Sequence, residues 1–158
     1  IVNEYSEEEL VQIFEDYGEE RFSKRIASAI LEKRREGPIE TTKDLENIIF
    51  HSYPRKLRYG RTHPATRCFQ ALRIEVNKEL TNLEKTIPEL LDLLEVGGRL
   101  LIISFHSLED RIVKRMFKNL AMKENYLNLT KKPIIPTDEE INENPRSRSA
   151  KLRVIEKQ

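Results

Sequence analysis

Leu100–Arg111 reads LLIISFHSLEDR, and the fold turns on how this stretch is interpreted. Leu100–Ile103 and Phe105 are apolar without alternation, a pattern expected of a strand covered on both faces, as in a parallel sheet. The strand runs straight into a helix start, with Ser107 read as N-cap and Asp110 three residues on. Ligands of open parallel α/β sheets sit in the crevice beyond the carboxyl ends of the strands. Phe105, His106 and Ser107 fall on that edge and are the first candidates for a substrate pocket.

Upstream, the chain reads as helices. Ser6 and Glu9 form a capping box, followed by the apolar stripe Leu10, Ile13, Phe14, Tyr17 and a C′ glycine, Gly18. A second helix runs through Phe22, Ile26, Ala29 and Ile30, with Lys33, Arg34 and Arg35 in its last turn, and stops at Gly37-Pro38. A third starts near Thr41 or Thr42 and buries Leu45, Ile48 and Ile49. These three make a helical domain over residues 1–52. Residues 53–62 begin YPRKLRYGR, a basic linker without an acid. One long helix is expected from His63-Pro64, its stripe running from Phe69 through Val76 to Ile87; Pro88 then opens a short Leu-rich helix ended by Gly97-Gly98. A helix follows the buried strand, through Leu108, Ile112, Met116 and Leu120. Residues 123–149 read as irregular, and Lys151–Glu156 as a closing strand.

The 158 residues carry a net charge of +1, which hides an asymmetry. Residues 1–50 hold 7 Lys/Arg against 13 Asp/Glu, a net of −6; residues 51–158 hold 21 against 14, a net of +7. Either both are solvated surfaces, or the second part faces a polyanion such as nucleic acid. Arg55, Lys56, Arg58, Arg61, Arg67, Arg146 and Arg148, with Tyr53 and Tyr59 able to stack on bases, suit an RNA backbone and unpaired nucleotides. The single cysteine, Cys68, excludes an internal disulfide and fits a reducing, cytoplasmic compartment. No apolar run is long enough for a membrane span, and no secretory signal is visible. One Cys and three scattered His argue against a zinc site, and the five glycines form no phosphate-cradling loop. The acidic first turn, Glu109 and Asp110, disfavours an anion beside Ser107, so a polar base is the better guest there. The chain begins at Ile1, as expected of a fragment or a trimmed product.

Four stretches together resemble a known family: THPATRCFQALRIEVNKEL (Thr62–Leu80), GGRLLIISFHSLEDRIVKRMF (Gly97–Phe117), ENPRSRSAKLRVIEK (Glu143–Lys157) and the helical YGEERFSKRIASAILEKRREGPIETTKDL (Tyr17–Leu45). The chain is similar to the bacterial RsmH (MraW) family. The resemblance implies methylation of the exocyclic amino group of a cytosine in small-subunit ribosomal RNA, with S-adenosylmethionine as donor. It also implies an α/β fold: a helix-rich insertion plus the second half of a Rossmann-like methyltransferase domain (residues 63–158) with an incomplete parallel sheet. The family's glycine motif, ribose-binding acid and following loop have no counterpart here, so no donor is expected to bind this chain, and the chain alone is expected to be inactive. A non-catalytic RNA-binding or assembly module, or a structural fragment, are the competing readings. An apolar strand without its neighbours leaves an open edge, so either a homodimer through that edge or a helix shifted to cover it is expected, the first being favoured.

Overall fold

A computed structural model of the chain describes residues 1–60, 62–123 and 125–158. By compactness the chain divides into two units, Ile1–Glu79 and Leu80–Gln158.

The first unit is helical. Helix α1 (Glu7–Asp16) starts at the Ser6/Glu9 capping box, with both reciprocal bonds formed. Helices α2 (Ser23–Arg34), α3 (Thr42–Ser52, with a Thr41/Asp44 capping box) and α4 (Ala65–Asn77) follow. Their apolar faces meet in one core that includes Leu10, Phe14, Ile26, Ile30, Leu45, Ile49, Cys68 and Ala71. Burial pushes the Cys68 thiol up, so it stays protonated and inert. Gly18 has a different task from the one expected. Left-handed backbone falls on Glu19, at φ +47°. A Cβ on Gly18 would lie 2.7 Å from the Phe14 carbonyl oxygen and 3.0 Å from that of Arg67. Only glycine lets the end of α1 come so close to α4.

The expected long helix from His63 is interrupted. Lys78, left-handed at φ +51°, caps α4 by donating its N–H to the Ile74 and Glu75 carbonyls. Helix α5 (Glu79–Asp92) then begins, and Pro88 lies inside it instead of opening a new helix. A one-residue break leaves the three-and-four spacing almost intact, which is why the stripe read as continuous. Val76, 66% exposed, is where it departs from the core.

The second unit packs α5 and α6 (Ser107–Ala121) on a three-stranded sheet of β1 (Arg99–Ser104), β2 (Tyr126–Asn128) and β3 (Lys151–Lys157). A short helix α7 (Asp138–Glu143) and a 3₁₀ turn at Pro145–Ser149 precede β3. The strand order is β1-β3-β2 and both pairings are antiparallel, with Leu100 opposite Ile155 and Ser104 opposite Lys151. This corrects the expected parallel sheet among the described residues. The C-terminal strand returns to pair with β1, a partner that the apolar run cannot reveal. β1 is also not covered on both faces. Leu100 and Ile102 pack on the core of Ile87, Leu91, Val113, Phe117 and Ile155, while Leu101 and Ile103 are 57% and 58% exposed.

Candidate functional site

Where β1 passes into α6, Phe105, His106 and Ser107 line a cavity of about 280 Å³ together with Ile135, Arg148 and Lys151. The sequence placed the first three at a sheet edge and Arg148 in a separate basic patch; the structure brings all four together. Ser104, the last residue of β1, donates from its hydroxyl to the Lys151 carbonyl at 3.4 Å, which ties one wall to the other. Glu109 sets the turn: its carboxylate accepts from the Phe105 N–H at 2.8 Å and the His106 N–H at 3.2 Å.

The cap of α6 differs from expectation. His106, not Ser107, is the N-cap, because its Nδ1 accepts from the Glu109 N–H at 3.4 Å while Ser107 already lies in the first turn. His106 thus has its Nδ1 engaged and its Nε2 3.5 Å from the Glu109 carboxylate. The aromatic group of this cavity is the Phe105 ring, which is 54% exposed; Ile135, Ser107 and Arg148 are exposed beside it.

Behind the cavity lies an ion triad that the sequence did not signal. Asp110 accepts from Arg153 at 2.7 Å and from Lys151 at 3.3 Å, and Arg153 is only 3% exposed. Burial alone would push the Asp110 carboxyl up, but the two cations outweigh it and hold the carboxyl below its ordinary value. The triad fixes Lys151 at the cavity wall and locks α6 onto β3.

The remaining candidate cations fall in both units. Arg55 and Lys56 stand exposed on a 3₁₀ turn, and Arg146 and Arg148 are exposed in the turn before β3. Arg58 is committed locally, donating to the Tyr53 and His51 carbonyls, each at 2.9 Å. Arg67 donates to the Glu19 carbonyl at 3.1 Å. Arg61 lies outside the described residues. No helix among the described residues is long and apolar enough to cross a membrane.

A profile of the MraW methylase family matches residues 1–158. The chain belongs to that family. Among its relatives, the ribosomal RNA small subunit methyltransferase H of Persephonella marina is 55% identical over 157 residues, 99% of this chain and 54% of the relative. That of Leptospira interrogans (strain Fiocruz L1-130) is 54% identical over 99% of this chain and 47% of its own length. The Nostoc protein of the same name is 57% identical over the whole chain and half of its own length. This MraW methylase family member thus spans about half the length of the curated relatives it matches, and the match runs through the helical unit and the sheet unit alike.

Proposed function

We propose that this chain supplies the RNA-facing helical unit and the base-holding cavity of a methyltransferase acting on the exocyclic amino group of a cytosine in small-subunit ribosomal RNA. The observation that carries this reading is the cavity at the end of β1, where an exposed aromatic ring, a helix start and Arg148 converge. Its volume of about 280 Å³ suits one small polar guest. In this reading the sheet unit is the C-terminal part of a Rossmann-like domain, the helices of residues 1–52 are an insertion in it, residues 53–62 are a basic linker, and the protein works in the cytoplasm.

A cytosine amino nitrogen is a weak nucleophile, since its lone pair is delocalised into the ring. The protein must splay the base from its stack and hold the nitrogen in line for attack. Phe105 would take the ring face, Ser107 would meet the polar edge, and Arg148 and Lys151 would hold the ribose-phosphate side. His106 positions the turn that aims them. S-adenosylmethionine, the methyl donor implied for the whole protein, does not fit the residues of this chain. Gly97 and Gly98 close a turn bonded to Lys157, and Gly18 is packed against α4. The donor is therefore assigned to residues that the relatives carry beyond this span.

The test is methyl incorporation into small-subunit ribosomal RNA by a protein of the relatives' full length. Phe105→Ala is expected to cut turnover at least tenfold with an unchanged melting temperature. Unaltered turnover would remove the cavity from the reaction. RNA binding without any methyl transfer by the unsubstituted protein would favour a non-catalytic module.

A further inference from the structure

The helical unit has a cavity of its own, about 330 Å³, lined by Arg21, Tyr53, Thr62, His63, Pro64 and Arg67. None of these is acidic. Other cavities of the same unit mix in or consist of carboxylates, with Glu32 and Glu36 beside Arg25 in one and Glu9, Asp16 and Glu75 in another. Both arginines are oriented before any ligand arrives. The guanidinium of Arg67 is held by the Glu19 carbonyl, and that of Arg21 lies 4.7 Å over the Phe22 ring. The cavity also opens on the first turn of α4, where His63 already takes the Ala65 and Thr66 N–H groups, so the two guanidinium groups are what an anion would meet. The His63 imidazole engages Ala65 N–H through Nδ1 at 3.2 Å and faces Glu46 through Nε2 at 3.3 Å, so it serves as a wall.

A second, independent feature adjoins the first through His63. The His63 ring stacks on Phe50 at 5.9 Å and an interplanar angle of 16°. Tyr59 meets the same Phe50 edge-on at 5.7 Å, and the Arg58 guanidinium lies 5.4 Å over it. Tyr59 is nonetheless 86% exposed, a supported aromatic face turned to solvent. Paired cations beside a stacking platform are the two parts of a single-stranded nucleic-acid subsite.

We propose that Arg21 and Arg67 hold a phosphodiester of single-stranded RNA in this cavity while a neighbouring base stacks on Tyr59. The subsite rests on the RNA reading above but is separate from the cavity at Phe105. It places the RNA strand on a residue, Arg21, that lies in the acidic first third of the sequence.

The experiment is fluorescence anisotropy of the 158-residue chain with a labelled five-nucleotide single-stranded RNA across a salt series. Arg21→Gln is expected to weaken binding about tenfold, the loss of one charge-assisted contact, and to lower the salt slope by about 0.7. Arg21→Lys should restore the slope but only part of the affinity, because the planar fork is lost. Tyr59→Ala should weaken binding with the slope unchanged. If Arg21→Gln is silent while Arg148→Gln weakens binding, the RNA reading stands and this subsite is wrong. If the unsubstituted chain shows no salt-dependent binding, both fall. Inorganic phosphate that shifts the NMR signals of Arg21 and Arg67 but is not displaced by the RNA would also overturn the proposal, leaving a small-anion site.

Discussion

The two units solve the burial problem differently. The helical unit surrounds a core cluster to which all four of its helices contribute buried apolar residues, with Ile39 and Tyr53 beside them, and Val76 of α4 stays exposed outside it. The sheet unit has a smaller core cluster around Ile87, Leu91, Val113, Phe117 and Ile155 and leaves Leu101, Ile103, Phe105, Leu127, Ile134 and Ile135 between 48% and 66% exposed. That is a sheet with one face packed and the other exposed at Leu101, Ile103 and Leu127 but covered at Val154. Large contiguous exposed apolar surface is uncommon on a self-sufficient domain. The contrast teaches that the first unit buries its apolar stripes by helix-on-helix packing, whereas the second leaves a band of apolar side chains exposed.

The largest expected effect tests that contrast directly. Phe14→Ala should destabilise the helical unit by about 3–5 kcal/mol, the usual cost of emptying a buried aromatic site. Ile103→Ser on the open face should change stability by no more than about 0.5 kcal/mol, as read by urea denaturation. Among the described residues β1 pairs with β3 alone, and pairing of a second copy there would show as self-association in light scattering that Ile103→Ser reduces. Equal costs for the two substitutions would break the comparison.

Within the sheet unit, the strongest polar link is the Asp110 triad. Asp110→Asn leaves the buried Arg153 without its carboxylate and should cost about 3 kcal/mol. The pH dependence follows from the lowered folded value of Asp110. Its contribution is fully present above the ordinary Asp range, about pH 4, and is lost as pH falls through the lower folded value. Acid unfolding of the sheet unit should therefore lose part of its pH slope in Asp110→Asn, whereas an unchanged slope would show the triad to be energetically silent.

A smaller effect separates two neighbouring residues at the site. His106→Ala should cost about 1 kcal/mol as a lost helix cap, more than Ser107→Ala, since the cap of α6 is His106. The reverse order in thermal denaturation would return the cap to Ser107.

Much of the helical unit was legible because its signals are local. Ser6 with Glu9 and Thr41 with Asp44 announce helix starts within four residues, and Leu10, Ile13 and Phe14 mark a buried face. The closing strand, expected over Lys151–Glu156, runs Lys151–Lys157. The parallel sheet was misread because Leu100–Ile103 carry no information about the direction of a partner some fifty residues away. The break at Lys78 was hidden because its left-handed backbone leaves no mark in an apolar spacing. His106 was passed over as a cap in favour of the commoner hydroxyl. Phe105, His106 and Ser107 are candidates by their place at a strand end, and the structure puts them on one cavity. Arg148 and Lys151 join them only through the antiparallel return of β3, and the place of Arg21 on a cavity is not readable from an acidic segment.

The most direct measurement is a heteronuclear NMR titration of the 158-residue chain with cytidine monophosphate. The account predicts saturable shifts at Phe105, Ser107, Arg148 and Lys151, lost in Phe105→Ala. Shifts confined to other residues, or none at millimolar nucleotide, would contradict it.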